Sequence, residues 1–146
     1  MNANGPLSDI GHVIQLAVAP VFLLTAVATL INVLIGRLAR AVDRRRSLAV
    51  ALPKLEGSIA ALAQREFDFE VRRSRIIYAA IAMAVTSALL VASLICLAFI
   101  DAFVTVGLGT LIAVLFVLSM MALMASLVAF LREIFLAVNS PRAPIQ

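Results

Sequence analysis

Between residues 12 and 44 the chain reads HVIQLAVAPVFLLTAVATLINVLIGRLARAVDR, a run greasy enough to cross a membrane that nevertheless carries polar side chains at helical spacing. Steps of four and three connect Gly11, Gln15, Val18, Phe22, Thr25, Thr29, Asn32, Gly36, Ala39 and Asp43. This heptad seam covers about a third of a helix circumference. Lipid cannot hydrogen-bond, so Gln15, Thr25, Thr29 and Asn32 are expected to face protein or water. A threonine hydroxyl can bond the carbonyl four residues back along its own helix, which weakens the inference for Thr25 and Thr29 but not for the two amides. The opposite side, with Val13, Leu16, Ala17, Pro20, Leu24, Val27, Ile31 and Leu34, is compatible with lipid throughout.

Two chemistries fit the stripe. As glue, it packs helix 1 against the other helices or a second copy through interhelical hydrogen bonds of roughly 0.6 to 2 kcal/mol each. As a pore lining, several copies of helix 1 ring an axis, with Phe22 as an apolar constriction and the threonines and Asn32 as a hydrophilic section. A second constellation lies at the other end of the apolar run. Asp9 and His12 are three residues apart, hence on one helix face, and Asp101 is expected at the same boundary. An acidic ring with an imidazole would concentrate cations, bind a divalent ion in an oligomer or sense pH. The competing reading makes Asp9 an acid near a helix N-terminus, favoured by the helix dipole, and His12 an interfacial residue.

The elements that position these residues follow from where charge is missing. Of 146 residues, 64 % are hydrophobic and the mean hydropathy is +1.12, far from the composition of a soluble globule. No Asp, Glu, Lys or Arg occurs in 10–36, 76–100 or 102–131. A spanning helix needs about 20 apolar residues, so three spans are expected, over about 10–36, 76–100 and 108–131. Phe103 to Gly109 supplies the turn between the second and third. No Lys or Arg precedes the first apolar run, unlike a signal peptide, so helix 1 is expected to be retained.

Ten of the twelve Lys and Arg lie between helices 1 and 2, which reads as membrane topology rather than nucleic-acid binding. The expected order is N-terminus outside, residues 37–75 cytoplasmic, a short outer loop, and C-terminus cytoplasmic. Residues 37–75 read as a helical hairpin with Pro53 near its tip, where proline suits a first turn. In its second arm Leu55, Ile59, Leu62, Glu66, Phe69, Arg73 and Ile76 share one helix face by spacing. Asp43 beside Arg44, and Glu66 among Arg65, Arg72 and Arg73, provide opposite charges that would stiffen the hairpin if paired across it; Arg37 and Arg40 lead into it. The hairpin is read as a solvated positive face, a dock for anionic lipid head groups, or a dock for a protein partner.

Helix 2 has Ala80, Ala84, Ala88, Ala92 and Cys96 at strict steps of four, and helix 3 has Ser119, Ala122, Ser126 and Ala129. Both are small-residue faces made for close helix approach. Cys96 is expected to be a small buried side chain, and Met120, Met121 and Met124 adaptable packing. The tail 139–146 is expected to fray. With one His, one Cys, no phosphate loop and no acid inside a span, no catalytic residue, metal site or cofactor is expected, and the chain is not read as an enzyme.

The run 12–44, together with RRSRIIYAAI (72–81) and FLREIFLA (130–137), resembles a family of small bacterial inner-membrane proteins known as a domain of unknown function, number two-seven-two-one. The resemblance covers nearly the whole chain and is most specific in helix 1 and its arginine-rich exit, where His12, Gln15, Pro20, Asn32, Arg37, Arg40, Asp43 and Arg44 match the family's pattern. The short outer loop departs from it. The resemblance implies three spans in a bacterial membrane and no particular activity. The sequence thus describes an all-α, three-span membrane protein with a cytoplasmic helical hairpin, expected to associate with itself. Its functional readings are an ion-conducting or ion-sensing oligomer, or a non-conducting scaffold or regulatory subunit.

Overall fold

The computed structural model describes the backbone of residues 5–104 and 107–138, and the side chains of residue 15 and of residues 18–104 and 107–138. The described chain is helical, with no strand: α1 is Gly5–Ala51, α2 is Gly57–Val104 and α3 is Gly109–Val138. Each of the three is long and apolar enough to cross a membrane. At about 1.5 Å per residue, the 47 residues of α1 and 48 of α2 run to about 70 Å. That is more than twice the roughly 30 Å of a hydrocarbon core, so both helices continue well past their apolar sections.

A 3-10 turn at Leu52–Lys54 ends α1, with Pro53 in its first residues as its missing N–H allows, and Leu55 N donates to the Leu52 carbonyl at 3.2 Å. Gly57 then starts α2 at φ +63°, a left-handed conformation that suits a residue without Cβ. Leu48 and Ala63 are fully buried against each other below this turn, flanked by Leu52, Leu55 and Phe67.

Two compact units divide the chain, one built from residues up to Ile31 with Met83–Met124, the other from Asn32–Ala82 with the residues from Ala125. In the first, Val27, Ala84, Val91 and Leu94 form the core, and Ser87 Oγ donates to the Ser119 carbonyl at 2.9 Å. In the second, Leu34, Ala41, Ile77 and Ala80 are buried, and Ser126 Oγ donates to the Ala80 carbonyl at 2.8 Å. The serine face expected on α3 is therefore a protein-contact face in both units.

Burial follows a seven-residue period on every helix. On α1 the buried positions are Val27, Leu34, Ala41 and Leu48; on α3 they are Ser119, Ser126 and Glu133. Helix α2 carries two such rows, Ala63, Glu70, Ile77, Ala84 and Val91 beside Glu66, Ala80, Ser87 and Leu94, the second row passing through half-buried Arg73. A sustained heptad is the signature of left-handed supercoiled packing, in which 3.5 residues per turn keep one seam facing its neighbours.

That phase corrects the expectation for the α2 ridge and Cys96, and it selects a buried face where the spacing on α1 and in the lower part of α2 left it open. On α1 the packed face is the apolar one, with Val27 and Leu34, and the polar seam lies opposite it. On α2 the alanine ridge leaves the core: Ala80 and Ala84 are buried, Ala88 half-buried, Ala92 and Cys96 exposed. Strict steps of four advance about 40° each around a helix, so such a ridge winds off a heptad seam. In the lower part of α2, Ile59 and Leu62 are exposed while Ala63, Glu66, Glu70 and Ser74 are buried, because the two acids find arginine partners there.

Leu34, 0 % exposed, and its neighbour Val33, 46 % exposed, test the phase directly. Leu34→Ala is expected to destabilise by about 2–5 kcal/mol, and Val33→Ala by no more than about 0.5 kcal/mol, read as melting shifts of the detergent-solubilised protein.

Candidate functional site: a buried arginine–glutamate clasp and an outward polar stripe

Glu133 is the most consequential polar residue of the second unit, 1 % exposed and placed by the α3 heptad on the same line as Ser126. Its carboxylate is held from two other helices. Arg37 Nη1 of α1 donates to Oε2 at 2.7 Å, while Arg73 Nε of α2 donates to Oε1 at 2.7 Å, with Arg73 Nη2 also 2.7 Å from that oxygen. Arg73 Nη1 reaches Glu70 Oε1 at 3.4 Å, and the Arg37 guanidinium lies 5.1 Å from the centre of the Phe130 ring. Two cations and two acids meet, so the cluster balances its charge, and its close contacts are charge-assisted hydrogen bonds.

The ends of the apolar sections explain its position. Arg37 directly follows 10–36, and Arg73 and Glu133 stand within three residues of the ends of 76–100 and 108–131. The clasp therefore pins three helices at the level where hydrocarbon gives way to polar surroundings. Deeper in the membrane the same ions would lose more solvation than their pairing returns.

Further along the hairpin, Arg44 Nε donates to buried Glu66 Oε1 at 2.8 Å, a pair across the two arms. That hydrogen bond is the main cause holding the Arg44 guanidinium further toward its charged form. Glu70 is less well served. Its Oε2 is buried without a hydrogen-bond partner, and burial pushes its carboxyl above the usual carboxylate range despite the pull of Arg73.

The other sequence-selected residues divide sharply. Arg40, Asp43, Arg65 and Arg72 are exposed and in no ion pair among the described residues, whereas Arg37, Arg44, Glu66 and Arg73 are engaged as above. Gln15, Phe22, Thr25, Thr29 and Asn32 are all exposed, Phe22 to 73 %. The stripe therefore does not glue α1 to its own α2 and α3. Thr25 and Thr29 hydroxyls donate to the Val21 and Thr25 carbonyls at 3.4 and 3.0 Å, satisfying themselves within α1. The side-chain amides of Gln15 and Asn32 have no partner among the described residues.

Asp101 does not present a free carboxylate. Its Oδ1 accepts the N–H groups of Gly107 and Leu108, both at 2.9 Å, and so closes the turn into α3 and places negative charge at that helix's N-terminus. Gly107 sits at φ +78° in this turn. The side chains of Asp9 and His12 lie outside the described residues. Among the described residues no three His, Cys, Asp or Glu stand together as a metal site.

Residues 17–143 match the family described as "Protein of unknown function (DUF2721)". The chain belongs to this family. The match takes in α1 from residue 17 onward, all of α2 and α3, and the whole clasp, as the three-span resemblance implies. No curated protein and no solved structure matches the chain.

Glu133 is the clasp residue that sequence reasoning did not single out. Continuing the small face Ser119, Ala122, Ser126 and Ala129 by one more step of four lands on it. An acid on a close-packing face beyond a long uncharged run was the available signal.

Glu133→Ala removes the acid that both Arg37 and Arg73 contact and is expected to destabilise by about 3–5 kcal/mol. Arg40→Ala, at an exposed residue, is expected to change stability by no more than about 0.5 kcal/mol; thermal unfolding in detergent separates the two. Glu70 supplies a test with a sign. A raised carboxyl pKa means that the cost of burying a charge is absent while Glu70 is protonated and is incurred as pH rises through that pKa. Glu70→Gln is therefore expected to melt higher relative to wild type at pH 8 than at pH 5, the difference shrinking as pH falls.

Proposed function

We propose that the protein works as a homo-oligomer of the bacterial inner membrane, its copies meeting along the outward face of α1, and that this seam conducts or senses ions. The observation that carries the reading is the orientation of α1. Its apolar face is spent on the chain's own helices, while Gln15, Thr25, Thr29 and Asn32 point away from them. Neither Gln15 nor Asn32 can be met by lipid, and a second copy or a water-filled axis meets both. Around an axis, Phe22 forms the narrow apolar ring and Asn32 the polar one.

The orientation in the membrane follows the same proposal. That ten of the twelve basic residues lie between α1 and α2 supports a cytoplasmic hairpin, with the N-terminus outside and the C-terminus inside. No catalytic chemistry is assigned. The self-satisfied threonine hydroxyls favour a second reading, a dry seam in a non-conducting scaffold or regulatory subunit whose charged hairpin docks a partner.

The test begins with the native mass in detergent, corrected for bound detergent and lipid. Four or more copies are expected, with ion flux in liposomes that Asn32→Leu alters without changing the copy number. A monomer would sink the seam. An intact ring with no flux before or after the substitution would leave the scaffold as the function.

A further inference from the structure

We propose that a cleft between α2 and α3 in the second unit is a binding site for an anionic phospholipid, its phosphate on Arg72, Arg75 and Arg132 and its first acyl carbons along Ile76 and Ala79. The cleft has a volume of about 630 Å3 and is lined by these residues and by Phe135 and Leu136. Arg72, Arg75, Ile76 and Ala79 lie at spacings of three and four on one face of α2, and Arg132, Phe135 and Leu136 do the same on α3.

Charge complementarity identifies the occupant. All three arginines are exposed and none is ion-paired among the described residues, in contrast to Arg37 and Arg73, whose charge is answered by Glu133. The cleft is thus a place in this unit where three guanidiniums converge without an acid. A free phosphate would use only that half of it. Ile76 and Ala79 make its membrane-facing side apolar, as a molecule with an anionic head and a hydrocarbon body requires.

Position along the chain points the same way. Arg75 immediately precedes the apolar section 76–100 and Arg132 immediately follows 108–131, so the guanidiniums stand at head-group level and Ile76 and Ala79 just inside the hydrocarbon. Basic pockets between membrane helices at such a level are the usual form of head-group recognition. The site involves neither the α1 stripe nor its self-association, and it stands or falls independently of ion conduction.

The detergent-solubilised protein, stripped of native lipid, would be titrated with phosphatidylglycerol and with phosphatidylcholine of the same acyl chains, and retained lipid counted by native mass spectrometry. Preferential retention of phosphatidylglycerol is expected. Losing one arginine should weaken it roughly fivefold, and losing all three roughly a hundredfold, at about 1 kcal/mol per basic residue. The variants are Arg75→Gln and the triple Arg72→Gln, Arg75→Gln, Arg132→Gln, with Arg40→Gln as a control that leaves retention unchanged. If the triple variant does not fold, the single variant carries the test. Equal retention of both lipids, or unchanged retention in Arg75→Gln, would overturn the proposal. So would inorganic phosphate displacing phosphatidylglycerol at equal concentration, because the apolar half would then contribute nothing.

Discussion

Hydrocarbon offers no hydrogen-bond partner, and the polar side chains of this protein are arranged around that constraint. Ser87 and Ser126 bond main-chain carbonyls of a neighbouring helix, while Ser93, Thr25 and Thr29 bond carbonyls of their own. The two kinds of bond have different consequences. A hydroxyl that crosses to another helix fixes a close approach, helped by the small residue that carries it; a hydroxyl turned onto its own backbone only stops being a burden. Ser87 of α2 and Ser126 of α3 do the first and the threonines of α1 the second, so hydroxyls tie α2 to α3 but not α1 to either.

The same constraint sets the place of the charges. Glu133 occupies a heptad core position in which a full charge is tolerable only with both oxygens answered, and Arg37 and Arg73 answer both. Because the three partners come from three helices, the clasp also specifies register. Sliding α3 by one residue rotates it by about 100° and carries Glu133 away from both arginines. Charged pairing at the membrane edge and small-residue packing within the membrane thus depend on one seven-residue period. Glu70, in the same α2 row as Ala84 and Val91, shows the period's cost: packing puts its Oε2 where nothing meets it.

Much of the site was legible before any helix was placed. Arg37, Arg44, Glu66 and Arg73 stood out by charge in an apolar chain, and opposite charges on both arms allowed pairs across the hairpin, of which Arg44–Glu66 is one; that Arg37 and Arg73 pair with α3 instead was not legible. Glu133 did not stand out, since the face leading to it was read as ending at Ala129. The α1 stripe was legible as residues and spacing, but its direction was not. In water, the apolar face of a helix turns inward because water drives it there. In lipid both faces are admissible, and contact is decided by shape and by hydrogen bonds that only the neighbours can supply.

By itself the sequence determined the helical class, the three apolar sections, the hairpin turn at Pro53 and the small serine face of α3. Each rests on local composition, period or backbone chemistry that holds whatever the neighbours do. Only the tertiary structure decided which side of α1 is buried, that Cys96 and Ala92 leave the α2 seam, that Asp101 closes the turn into α3, and that Glu133 draws two arginines onto one carboxylate. These outcomes depend on rotational phase between helices. Phase is a property of the packed set, fixed by which side chains interlock, and the periodicity of one helix leaves it open.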